Sequence, residues 1–176
     1  MLERIQMEKK ATPSLLLADS QSVKLTPMIY EDRGIDGNKK VNGRKRQILV
    51  DVIGRIWYAK VHAASQHDSI GGLTLLGFSK EALPRLKMIM ADKSYRGTFA
   101  EVVGKLGLAF EVPKREDGVK GFAVEAKRWV VERTFAWLNF FRRVVVDYEH
   151  TIRNSASFLF LANISMVIWR LDYSVL

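Results

Sequence analysis

The chain has 176 residues and carries 28 Lys and Arg against 19 Asp and Glu, a net charge of +9 at neutral pH. That length corresponds to one domain, and 48% hydrophobic with 27% charged residues excludes disorder and a fibrous repeat. The lack of cysteine excludes a disulfide framework, a thiolate zinc site and a cysteine nucleophile, while the positive balance points to an anionic partner, nucleic acid before membrane.

Residues 1–12 are polar and charged and read as a flexible tail, without the apolar segment of a signal peptide, so a cytoplasmic home is expected. Residues 13–176 read as one domain, because the four prolines are scattered and no repeat or linker divides them. Residues 15–18, LLLA, form a short apolar run ending at Asp19, the pattern of a buried strand. The stretch 32–47, DRGIDGNKKVNGRKRQ, reads as a basic loop. Residues 47–53 and 56–62 are rich in Ile, Val, Trp and Tyr and flank Gly54 and Arg55, a pairing that predicts an antiparallel hairpin. Asp68 is an acceptable cap for a short helix reaching residue 77, weakened by Gly71 and Gly72. A second apolar run, 86–91, ends at Asp92.

Beyond it, residues 97–106 read as helix, 108–113 as strand and 122–148 as a long helix. The apolar segment 158–169, capped by Asn154 and Ser155, reads as a buried core helix shorter than the roughly 20 residues that cross a bilayer. The order β, ββ, α, β, α, β, α predicts an α/β fold with a mixed sheet flanked by helices.

In such sheets ligand and catalytic groups lie outside the carboxyl ends of parallel strands. Asp19 and Asp92 both occupy that place, although either taken alone is equally a turn or cap residue. On the long helix, Arg128, Glu132, Phe135, Asn139, Arg142 and Arg143 fall on one stripe, opposite a core face of Val130, Thr134, Trp137, Leu138 and Phe141. Glu132 is then a third candidate carboxylate, or simply an i,i+4 partner of Arg128. Three carboxylates without thiolate or imidazole suit Mg²⁺ or Mn²⁺, and a pair of such ions serves phosphodiester chemistry. Lys24, Lys39, Lys40, Arg44, Lys45, Arg46, Arg128, Arg142 and Arg143 are the cations available to bind a polyanion, unless 39–46 is only a solvated loop. Asp51 points either into the same cleft or outward from a strand. His62, His67 and His150 lack metal-ligand spacing, and neither a nucleophile elbow nor a phosphate-binding loop is present.

Four stretches carry a resemblance: ADSQSVK at 18–24, KKVNGRKRQILVD at 39–51, MADKSYRG at 90–97 and RWVVERTFAWLNFFRRVVVDYE at 128–149. Through them the chain resembles the catalytic domain of bacterial insertion-sequence transposases of the DDE class, in the lineage called insertion sequence family five. The resemblance implies an RNase H-like mixed five-stranded sheet flanked by helices, with Asp19, Asp92 and Glu132 as the DDE triad holding two Mg²⁺ or Mn²⁺ ions and Arg128 gripping a phosphate. Related transposases carry a Tyr-x₂-Arg-x₃-Glu-x₆-Lys signature, of which Arg128 and Glu132 are kept while Glu125 and Asn139 replace the outer two. Arg142 or Arg143 then offers the missing cation.

The implied activity is metal-dependent cleavage at transposon ends to free a 3′ hydroxyl, followed by its transfer into target DNA. The implied partners are DNA, further copies of the chain assembled on it, and no membrane. Family members carry a helical end-recognition domain ahead of the first aspartate, where this sequence has 18 residues. An upstream reading frame joined by frameshifting would supply it; a truncated remnant and a mis-started gene are the other two readings. A non-catalytic DNA-binding fragment that inhibits transposition is the competing functional reading, and a host RNase H-like nuclease is a third.

Overall fold

A computed structural model describes residues 1–79, 81–113 and 129–173. Its centre is a mixed sheet of six strands, β1 (Leu15–Lys24), β2 (Gly34–Asp36), β3 (Val41–Val50), β4 (Ile56–Ala63), β5 (Met88–Met90) and β6 (Ala109–Glu111), in the order β2, β3, β1, β5, β6, with β4 also on β3. Strand β1 pairs antiparallel with β3, and β3 pairs antiparallel with β4. On its other side β1 pairs parallel with β5, which pairs parallel with β6 across the helix α3 (Thr98–Lys105). The expected five strands are joined by a short sixth, β2, paired with Val41, Asn42 and Gly43.

Residues 32–47 are therefore strand over much of their length, correcting the reading of a basic loop. The hairpin turn begins earlier than its glycine suggests. The Asp51 carboxylate accepts the amide N–H groups of Ile53 (3.0 Å) and Arg55 (3.1 Å), which ends β3 at Val50, and Gly54 closes the turn at φ +84°.

Alternation along the strands sends neighbouring residues to opposite faces. Leu17, Ile48, Val50 and Met90 pack against α4 (Trp129–Leu138) and α6 (Ile152–Tyr173) through Val130, Val131, Phe135, Leu138, Leu159 and Ala162. Leu16, Ala18, Leu49, Ile89 and Ala91 pack on the other face against Leu75, Tyr95, Phe99 and Val103. Each fully buried Val, Leu, Ile, Met or Phe side chain among them stabilises the fold by about 1.5–3 kcal/mol.

Three helical expectations are corrected. The long helix read over 122–148 stops, in its described part, at Leu138, because Asn139 to Phe141 shift to i→i+3 bonds before the short α5 (Arg142–Val145). Phe135, assigned to the outward stripe, belongs to the core beside Val131. The C-terminal helix is longer than 158–169 and only half-buried: Ser155, Leu159, Ala162 and Asn163 face the sheet, while Leu161, Ile164, Ile168 and Trp169 are exposed. By length and composition alone α6 is long enough to cross a bilayer. Its Asn163 accepts from the Ile56 amide at 3.2 Å and donates to the Ile56 carbonyl, so the polar residue in this apolar helix serves the edge of the sheet.

The expected loose tail is folded in part. Leu2–Gln6 form α1, whose Glu3 and Arg4 are buried against Arg55 and Asp51. Short α2 (Asp68–Gly71) and a 3-10 turn, Gly72–Leu76, complete the far face as one broken helical segment.

Candidate active site where the parallel strands part

Asp19 does not end a strand, as expected; β1 continues to Lys24 with Asp19 paired to Ile48. What ends there is the parallel pairing. Leu17 and Met90 are its last partners, and Asp19 and Asp92 each follow two residues later. Neighbouring strands lie about 4.8 Å apart, so the two aspartates stand at the same height just past the end of the parallel pairing. By alternation both lie on the face of Leu17 and Met90, against which α4 packs.

Local bonds orient them. One Asp92 oxygen accepts the Ser94 amide at 2.8 Å and the Ser94 hydroxyl, capping the 3-10 turn Lys93–Tyr95. One Asp19 oxygen accepts the Ser20 amide at 2.7 Å. The fields of the two carboxylates meet at Tyr95: burial first, then the charges of Asp19, Asp68 and Asp92, push its phenol well above the usual value.

Glu132 is exposed on the first described turn of α4, two residues past Val130, which packs on the strands carrying the aspartates. Among the described residues no group of three or more His, Asp or Glu side chains is gathered closely enough to hold a metal ion. The strand register thus puts Asp19 and Asp92 at the same end of the parallel pair, and Glu132 stands on the helix that packs on that face. The donor chemistry, oxygen without thiolate, fits Mg²⁺ or Mn²⁺.

A polar network behind the aspartates was not foreseen. The buried Tyr95 hydroxyl donates to Gln47 Oε1 on β3, and Gln47 Nε2 donates to Asp68 at 3.1 Å and faces His62 Nε2 at 3.2 Å. Asp68, read only as a helix cap, also pairs with Lys45 at 3.3 Å, while His67 accepts the Ser69 amide as the cap. Burial acts to raise the Asp68 pKa, but bonds from Ser20, Lys45 and Gln47 together with the Lys45 charge hold it below the ordinary value. The one available signal was a tyrosine in a polar turn directly after an aspartate.

The cations divide into two sets. Arg44, Lys45 and Arg46 are buried and turned to protein partners. Arg44 donates to the carbonyls of Glu31, Glu149 and His150, Lys45 to that of Gln66 and Arg46 to that of Val144. Burial, with Arg44 adding and Asp147 opposing, pushes the Arg46 guanidinium down to about 10. Lys24, Lys39, Lys40, Arg142 and Arg143 are exposed. The bridge between Leu25 and Asp147 sets the Lys24 end of β1 beside the segment that follows α5, so these cations share the end of the sheet beyond Asp19. Arg143 pairs with Glu149 at 2.8 Å, and Asn139 is exposed in the turn after α4. Arg128 and Glu125 lie outside the described residues. Asp51 is in neither of the expected places: it is fully buried at the opposite end of the sheet, paired with Arg4 at 2.6 Å.

Solved structures similar to this chain are retroviral integrases, whose catalytic cores have an RNase H-like fold, and the likeness shows that fold here. The catalytic core domain of BIV integrase is 15% identical with a TM-score of 0.51, covering 86% of this chain and 82% of that one. The HTLV-2 integrase catalytic core solved in complex with magnesium is 12% identical with a TM-score of 0.50, covering 85% of each chain. The simian T-cell lymphotropic virus intasome, solved with PP2A regulatory subunit B56 gamma, contains a chain 15% identical with a TM-score of 0.55, of which 48% is covered, against 88% of this chain. In sequence, the protein named as the presumed transposase of insertion sequence element IS402 in Burkholderia cepacia is 29% identical over 125 residues, 66% of this chain and 59% of that protein. Residues 10–167 match the transposase DDE domain, and the chain belongs to that family.

Proposed function

We propose that this chain is the catalytic domain of a bacterial insertion-sequence transposase, of the family five lineage, that cleaves transposon ends and transfers the freed strand into target DNA. The observation that carries the reading is the equal height of Asp19 and Asp92 on the face covered by α4, which bears Glu132. These three carboxylates would hold the divalent ions, Glu132 after moving inward from its exposed position. The ions, when bound, supply activation of the attacking oxygen and stabilisation of the departing one. The chain's own contribution is orientation: Ser94 and the Ser20 amide fix one oxygen of each aspartate. Lys24, Lys39, Lys40, Arg142 and Arg143, joined by Arg128, would bind phosphates along the same end of the sheet. The working assembly is several copies on DNA in the bacterial cytoplasm.

Nicking of supercoiled plasmid with Mg²⁺, with chelator and with the Asp92→Asn variant tests this. Nicking that needs the metal and vanishes in the variant is expected; nicking unchanged in the variant defeats the reading. A second reading, a DNA-binding fragment without catalysis, is favoured by the lack, among the described residues, of three acidic side chains gathered as a metal site. It predicts DNA binding with no metal-dependent nicking at all.

A further inference from the structure

The Tyr95 side chain is 0% exposed, its ring edge-on to Phe99 at 5.1 Å and close under Gly72, where an added Cβ would meet the ring at 2.8 Å. A phenylalanine would fill that space equally well, so the hydroxyl needs a separate explanation, because a buried hydroxyl is costly unless bonded. Its acceptor is held rigidly. His62 Nδ1 faces the Ala63 carbonyl at 2.8 Å, which makes Nδ1 the protonated nitrogen and leaves Nε2 as an acceptor for Gln47. With His62 and Asp68 both accepting from Gln47 Nε2, the amide cannot turn over, and Oε1 is fixed toward Tyr95. Ser20, next to Asp19, is paired across the sheet with that same Gln47. The Tyr95 hydroxyl therefore joins the turn that Asp92 caps to β3, at the residue paired with the one after Asp19.

We infer that Tyr95 is a positioning residue, whose hydroxyl ties the Asp92 turn to β3 and, through the β1–β3 pairing, sets the separation of the two aspartates. This rests on the reading of Asp19 and Asp92 as the metal-holding pair. Carboxylate placement matters to Mg²⁺ because that ion accepts little departure from octahedral geometry.

The test measures nicking by the full chain against Mg²⁺ concentration for the wild type, Tyr95→Phe, Gln47→Met, their double variant and Asp92→Asn, with thermal melting of each. Removing a group that orients a metal ligand weakens metal affinity by about tenfold or more. Tyr95→Phe is expected to raise the half-saturating Mg²⁺ concentration to that extent while the protein stays folded, with the double variant no worse than Gln47→Met. A merely structural hydroxyl would lower the melting temperature and leave the Mg²⁺ dependence alone. An unchanged half-saturation in folded Tyr95→Phe overturns the inference even if Gln47→Met fails to fold. If only Asp92→Asn differs from wild type, the inference alone fails. If Asp92→Asn and wild type behave alike, the catalytic reading fails and takes the inference with it.

Discussion

Asp19 and Asp51 look alike in the sequence, each a carboxylate after an apolar run that becomes a strand, yet they meet opposite fates. Because β1 and β3 run antiparallel with Leu17 opposite Val50, Asp51 falls past the end of the shared register beside the start of β1, whereas Asp19 lies within it, opposite Ile48 and toward the carboxyl end of β1. Asp51 is enclosed: Arg4 lies at 2.6 Å, the Trp57 indole N–H donates at 2.9 Å, and two turn amides take its other oxygen. Asp19 stays partly exposed where β1 outruns β5. The lesson is directional. In a mixed sheet the carboxyl ends of the parallel strands open toward ligands, and a carboxylate at the other end is built into the turn that closes the hairpin.

Exchanging the carboxylates for amides one at a time would break or sharpen that contrast. Asp92→Asn should lower metal-dependent nicking by at least about a hundredfold, since an amide in place of a carboxylate weakens the hold on a divalent ion whose charge stabilisation is worth several kcal/mol, and should leave the urea midpoint near that of the wild type. Asp51→Asn should do the reverse. Leaving Arg4 without its buried counter-charge costs about 3 kcal/mol in urea unfolding, with nicking per folded molecule within about twofold of wild type, because the substitution lies far from the metal-holding pair. Should Asp51→Asn abolish nicking in folded protein, the two ends of the sheet are not functionally distinct.

The same division separates the cations. Arg44, enclosed by three backbone carbonyls and Asp147, should cost about 2–3 kcal/mol as Arg44→Met, with no change in how DNA affinity depends on salt. Arg142→Ala, at an exposed site, should leave stability within about 0.5 kcal/mol. Its effect should appear instead as a slope of log affinity against log salt shallower by about one. Filter binding across a salt series reads both.

What was legible follows from range along the chain. Short apolar and β-branched runs predicted the first half of β1, the end of β3, β4 and the hairpin because each pattern is complete within ten residues, whereas the charged first half of β3 read as loop. Asp19 and Asp92 stood out because an apolar run and its terminal carboxylate are adjacent. The roles of Arg44 and Arg46 were hidden, since their carbonyl partners at Val144, Glu149 and His150 lie 98 to 106 residues away. The Tyr95, Gln47 and Asp68 network was hidden for the same reason, its bonds spanning 48 and 21 residues. The break after Leu138 ran against a sequence still rich in helix-compatible residues. No cap or proline marks it, and the turn is made by backbone bonds that composition does not encode.

The smallest expected effect concerns His62, which packs under the Gln47 amide on the wall behind the aspartates. Burial first, and then the Lys45 charge, lower its pKa, outweighing the bond to Ala63 and the charges of Asp68 and Asp32. The neutral ring is thus the folded form, and the unfolded chain takes up its proton first as pH falls. The stability this contributes is complete above the unfolded value of about 6.5 and is lost as pH drops through the lower folded value. Asp68, whose folded pKa is depressed below the carboxylate range, contributes stability that is lost only in a more acidic window, below about 4. The melting temperature should therefore fall by a few degrees between pH 7.5 and 5.5, at about 2–4 °C per kcal/mol for a chain of this size. His62→Gln, which keeps a polar group beside Gln47 without a titrating one, should flatten that interval and leave the acidic fall in place. A slope undiminished in the variant would assign the proton uptake to another group and remove His62 from the wall's pH response.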